Sequence, residues 1–257
     1  MQLITAPSKT QQFNGRAYAE HTSPVLLKKS EILINLLKLM EREELSCLMK
    51  TSERLTESTH QLIHNFTQPF SLGNAKQALF TFQGDAYNAI QSDQYTKEQL
   101  HHAQKHLFIL SGLYGILRPL DLMQKYRLEM GCSLMVGEAR SLYHFWQELV
   151  TDIINQALAK DRDGMLVNLA SKEYSKVVNK KKLQGEMVTI TFKQVQKGHL
   201  RTIPIHAKRA RGLMIHHAIS EQIDNAARLK EFDLDGYSFS KEDSSPAEWL
   251  YVKTEEK

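Results

Sequence analysis

Six ionisable residues sit in short stretches bent by glycine or proline, where folding can bring their side chains together: Lys9, Asp85, Asp121, Arg127, Glu129 and Lys208. Carboxylates of this kind act as general acids or bases, or hold hard cations. As an enzyme's catalytic set they would be Lys9, Asp85, Asp121 and Glu129, with Lys9, Arg118 and Lys208 suited to holding phosphate. The plain alternative is a buried ion-pair network that ties the fold together. No Walker loop, HExxH, GxSxG or kinase signature accompanies them, so no reaction class follows. His60 and His64, and His102 and His106, are spaced i, i+4, yet neither pair has the glutamate of an HExxH helix. Eleven histidines make such pairs common by chance, and neither a metal site nor a cofactor is expected.

The densest of these stretches is Leu110 to Gly131, LSGLYGILRPLDLMQKYRLEMG. An apolar run ends at Gly112 and Gly115, and Pro119 keeps a helix from running on. The Gly112-Leu113-Tyr114-Gly115 turn resembles the hairpin of helix-hairpin-helix DNA-binding motifs, in which backbone N–H groups cradle a phosphate. Contact of that kind reads the backbone and not the bases. A packed structural turn is the other reading of the same residues. Two basic segments lie further on. Lys172 to Lys182 holds five lysines and one acid, and Lys197 to Arg211 holds five Lys or Arg and no acid. Together they suit a polyanion, or form a solvated face balanced by the acidic C-terminal region. On a helix, Lys208, Arg209 and Arg211 cannot all face inward, so at least one arginine faces solvent.

Those residues must be positioned by regular elements, and the pattern supplies them. The chain has 257 residues, 42% apolar and 24% charged, with a formal net charge of +4. That is ordinary for a soluble globular protein and does not by itself imply nucleic acid. Strands are expected at Leu3-Ile4, Ala78–Phe82, Leu107–Leu110, Met165–Leu169, Glu186–Gln194, Leu200–His206, Tyr237–Phe239 and Trp249–Val252. Helices are expected to start near Ser23-Pro24, to cover Glu43–Met49, to follow Ser52 and to span Ser141–Leu158, with Asp85, Thr96 and Ser171 as caps of others. A further helix is expected from Lys208. The fold expected is a mixed α/β (α+β) single domain over residues 1–257, a central mixed sheet surrounded by helices. Lys9, Asp85, the Gly112–Arg118 turn, Ser171 and Lys208 each follow an expected strand. If those strands run in one direction, the groups gather at the sheet's carboxyl edge, where ligands bind. The two cysteines, Cys47 and Cys132, suit a reducing compartment, and no signal peptide or membrane span is visible. A cytoplasmic location and no membrane partner are expected.

The central stretch is similar to the signature of the YaaA family of bacterial peroxide stress proteins. Ala6–Thr10, Gly84–Tyr87, Asn168–Tyr174, Lys208–Met214 and Gly236–Phe239 match the family in the same order. Lys125 stands where the family has Pro, and Lys253 where it has Arg. The resemblance implies a peroxide response protein that limits free intracellular iron and DNA damage. It also implies double-stranded DNA binding through a basic cleft and the hairpin turn. Lys9, Gly112, Gly115, Arg118, Arg127, Lys208, Arg209 and Arg211 would make the phosphate contacts. The alternative is an enzyme acting on a nucleotide or other small phosphorylated ligand in a cleft lined by Lys9, Asp85, Arg118, Asp121 and Lys208.

Overall fold

The first strand, β1 (Gln2–Thr5), is buried along its whole length and sits near the middle of the sheet. The computed structural model describes residues 1–16 and 18–254. Three helices follow β1: α1 (Leu27–Lys38), α2 (Arg42–Met49) and α3 (Glu53–His64). Next come β2 (Lys76–Gln77), α4 (Ala78–Thr81), α5 (Asp85–Ile90) and α6 (Lys97–His106). The central stretch supplies β3 (Leu107–Ser111), β4 (Gly115–Leu117) and β5 (Leu122–Met123). The rest of the chain adds α7 (Leu142–Leu158), β6 (Met165–Asn168), α8 (Lys172–Ser175), β7 (Glu186–Gln196), β8 (His199–Arg201), α9 (Pro204–Ser220), β9 (Tyr237–Ser245) and β10 (Glu248–Lys253).

Among the described residues, eight strands form the main sheet in the order β4-β3-β1-β6-β7-β10-β9, with β8 paired to β7. Neighbours from β3 to β10 run parallel, while β4, β8 and β9 pair antiparallel to their partners. The architecture is therefore mixed α/β, as the pattern predicts. Parallel strands are covered on both faces, which is why β1, β3 and β6 read as short apolar runs. Strand β7 instead alternates between buried and half-exposed residues along most of its length. Buried side chains from distant parts of the chain, among them Ile4, Trp146, Phe192 and Tyr251, belong to one connected core. No helix among the described residues is long and apolar enough to cross a membrane.

The caps follow local chemistry. Thr96 accepts from the Gln99 amide and Gln99 reaches back, a closed capping box. Ser141 and Ser171 accept from the amides of His144 and Tyr174. One expected strand is a correction. Ala78–Thr81 is a helical turn, because Pro119 and Asp121 carbonyls take the Leu79 and Ala78 amides and leave no strand ladder there. Helix α9 also begins earlier than expected, at Pro204, whose fixed φ suits a first turn.

Helix α9 lies closely against α5. A Cβ on Gly212 would overlap the Ala86 carbonyl oxygen and crowd the Ala89 methyl. Gly212→Ala is therefore expected to push the two helices apart and to lower unfolding free energy by about 3 kcal/mol, read by urea titration.

Candidate functional site: a cation-lined cleft at the sheet's carboxyl edge

The loop after β1 begins the site. Pro7 ends the strand, and Ser8, Lys9 and Thr10 turn outward over a cleft of about 470 Å³. Gln11 then anchors the loop across the cleft's base. Its Nε2 donates to the Tyr126 carbonyl at 3.0 Å and its Oε1 accepts from the Tyr126 amide at 2.9 Å. Gln83 N donates to the Thr10 carbonyl, so the start of α5 is tied to the same loop. Gly84 adopts φ +100° to make that junction, a conformation costly to other residues. Asp85 follows it, exposed on the cleft rim.

The central stretch brings Arg127 and Glu129 to the opposite side. It does so through Gly112, where a Cβ would overlap the Leu128 carbonyl. The bare Cα lets the 126–129 segment cross over the end of β3. Gly115 has φ +69°, and a Cβ there would stand 2.6 Å from the Trp146 ring. Trp146 Nε1 in turn donates to the Gly112 carbonyl at 2.9 Å. These contacts correct the helix-hairpin-helix expectation. The Gly112–Gly115 turn joins two antiparallel strands, not two helices, and Leu113, Tyr114 and their neighbours are buried at 1% exposure or less. The two glycines shape the cleft from beneath and cannot themselves meet a phosphate.

The charges are mixed. Lys9 Nζ lies 2.7 Å from Glu129 Oε1, and Arg127 Nη2 lies 3.8 Å from the same oxygen. Glu173, at the start of α8, faces the cleft and accepts from the Gly131 amide at 3.0 Å. From α9 come Lys208 and Arg211, one helical turn apart. Neither forms an ion pair among the described residues. Arg209 points elsewhere and pairs with Asp235 at 3.5 Å, a carboxylate that also meets Lys253 at 3.7 Å. The structure thus brings Lys9, Asp85, Arg127, Glu129, Lys208 and Arg211 together and leaves Arg209 out. Arg127 and Arg211 each keep a buried guanidinium Nε with no hydrogen-bond partner among the described residues. Burial lowers the Arg211 pKa. Unmet donors of this kind cost about 1 to 3 kcal/mol each.

Arg118 and Asp121 are also corrections, since both lie outside the cleft lining. The Arg118 guanidinium stands 5.2 Å above the Phe108 ring and donates to the Gln104 carbonyl. Asp121 is buried; its carboxylate accepts from the Arg118 amide at 2.7 Å and the Thr22 hydroxyl at 2.6 Å. They hold a loop. Cys132 lies near Glu129 and Glu173, and burial pushes its thiol pKa up, which is the reverse of an activated thiolate. Sequence reasoning missed Gln11 and Glu173 as parts of the site. Glu173 lies within the Asn168–Tyr174 motif, so a signal existed for it. Gln11 offered none, because its partner is Tyr126.

A mixed sheet flanked by helices, with a cation-lined cleft at the carboxyl edge of its parallel strands, defines an α/β protein whose cleft lies where such folds place their sites. The family model described as peroxide stress protein YaaA matches residues 1–243. The chain is 46% identical over 254 residues to a UPF0246 protein of Desulfotalea psychrophila, covering 99% of this chain and 98% of that one. It is 44% identical over 253 residues to a UPF0246 protein of Acaryochloris marina, covering 98% of this chain and all of the relative. A UPF0246 protein of Alteromonas mediterranea is 41% identical over 257 residues, covering 100% and 99%. The chain belongs to the YaaA family of peroxide stress proteins.

The Asp121 environment gives a pH signature. Desolvation, only partly offset by its two hydrogen bonds, raises the pKa from 3.8 to about 6. The folded state therefore holds this proton more tightly than the unfolded chain, and stability falls as pH rises between those values. Asp121→Asn removes that fall. Between pH 4 and pH 7 its stability relative to wild type should improve by about 2 to 3 kcal/mol, whatever its starting deficit, as read by denaturant titration at each pH.

Proposed function

We propose that this chain acts in the cytoplasmic peroxide response by holding DNA phosphates in the basic cleft. The observation that carries the reading is the convergence of Lys9, Arg127, Lys208 and Arg211 from three separate stretches, two of them with unpaired buried donors. A duplex is far wider than the cleft, so contact would be with its backbone or its ends and without base readout. The exposed lysines at 172, 176, 180 and 181 continue positive charge from the α8 side. Occupying DNA in this way would lessen damage by iron-derived radicals. The limiting of free iron belongs to the same proposal as a cellular outcome.

A second reading is a small phosphorylated ligand, a nucleotide among them, on which the chain acts as an enzyme. It is favoured by Asp85, Glu129 and Glu173 sharing the cleft with the cations. Its residues would be Lys9, Asp85 and Lys208, without Arg118 and Asp121. Asp85→Asn would then leave DNA affinity intact and abolish peroxide resistance in cells.

Binding of a labelled duplex at two salt concentrations tests the first reading. Arg127→Gln/Arg211→Gln should lower affinity by about tenfold at low salt and reduce the salt dependence by about two phosphate contacts. The same variant should fail to restore peroxide resistance and low chelatable iron in a deletion strain. Unchanged affinity and salt slope would remove the cleft from DNA binding.

A further inference from the structure

Glu129 is an anion already seated where a phosphate would go. One of its carboxylate oxygens serves two cations, Lys9 at 2.7 Å and Arg127 at 3.8 Å. It projects from the segment that Gly112 admits over the end of β3, and Gln11 fixes that segment through the Tyr126 peptide. Lys9 is otherwise exposed, so its pairing with Glu129 is the resting state of this side of the cleft.

We infer that the group this cleft takes is a phosphate monoester, with Glu129 as the resident anion that it displaces. The inference rests on the reading of the cleft as a phosphate site. A phosphodiester carries one negative charge, the same as the carboxylate it would replace. Exchanging one for the other gains little and leaves the freed Glu129 carboxylate beside Asp85 and Glu173 in the same cleft. A monoester carries about 1.5 to 2 negative charges at neutral pH and three acceptor oxygens. It outcompetes the carboxylate for Lys9 and Arg127 and still reaches toward Lys208 and Arg211, which hold no carboxylate among the described residues. Size agrees. A cleft of about 470 Å³ lies in the range of small-molecule sites and admits one nucleotide. An end reaches into it, whereas an internal phosphate stays flanked by stacked pairs. The mixed lining of cations and carboxylates thus becomes a selectivity device: weak anions meet Glu129 and stay out.

A monoester has two sources, a phosphorylated DNA end and a free nucleotide, and one experiment separates them. The full chain and Glu129→Gln are titrated with an internally labelled duplex bearing 5′-phosphate or 5′-hydroxyl ends. Deoxyadenosine monophosphate and deoxyadenosine serve as competitors, and circular dichroism confirms that the variant is folded. Wild type should bind the phosphorylated duplex about tenfold more tightly, with the preference growing as pH rises through the second phosphate pKa of about 6. Glu129→Gln should gain affinity for the hydroxyl-ended duplex and so narrow the preference. Competition by the monophosphate and not the nucleoside also supports the inference, and binding of the monophosphate alone, with neither duplex bound, assigns the source to a free nucleotide. Equal wild-type affinity for both ends overturns it while leaving DNA binding standing. Weaker binding of both duplexes by Glu129→Gln likewise overturns it, making Glu129 a support that positions Lys9 and Arg127. If neither duplex nor monophosphate binds either protein, the phosphate reading of the cleft fails and this inference with it.

Discussion

The Leu128 carbonyl lies against the bare Cα of Gly112, closer than any side chain there would permit. This approach lets the central stretch, after leaving the sheet at β4, come back across the carboxyl end of β3. Arg127 and Glu129 are carried to the cleft by that crossing alone. Trp146 holds the turn from the other side by donating to the Gly112 carbonyl, so α7 in the core fixes the height of the crossing. A second backbone approach, Gly212 on Ala86, does the same for α9 and brings Lys208 and Arg211 to face the loop after β1. Both are sites where a missing methyl group sets the position of charges several residues away.

The cleft places like and unlike charges together at partial burial. Bringing charges out of water is costly unless they are paired and hydrogen-bonded. Here the pairing is uneven. Lys9 and Arg127 share Glu129, Glu173 is held by a backbone amide, and Arg211 meets no carboxylate among the described residues. Uneven compensation of this kind is what the anionic ligand proposed for the cleft would complete.

Much of this was legible in the sequence, and the legible parts share a cause. Thr96 and Ser171 announce helix starts because a cap is satisfied within three residues. Lys9 and Ser171 gather because β1 and β6, the strands before them, run in one direction, as the apolar runs suggest. Asp85 instead follows a helical turn and Lys208 lies within α9, and the close packing of α5 on α9 brings both to the cleft. The misread parts depend on distant chain. Ala78–Phe82 is apolar enough for a strand, but the partners of its amides lie in the Pro119–Asp121 loop, and they impose a helical turn. The Gly112–Gly115 spacing fits a phosphate-binding hairpin equally well, and only the Trp146 ring and Leu128 carbonyl show that glycine serves close packing there. Arg118 and Asp121 looked like chemistry because loops rich in such residues often are. Their partners, Phe108, Gln104 and Thr22, make them struts.

The position of β1 has a consequence for how the protein comes into being. Leu3 finds its neighbours at Leu107 on one side and Val167 on the other. As the chain leaves the ribosome, this apolar strand has no edge to join until β3 has been made, and its second flank stays open until β6 follows. Contacts so remote in sequence are slow to form and leave sticky edges exposed meanwhile. Both flanks of β1 are therefore closed only once residue 168 has been made, well past the middle of synthesis.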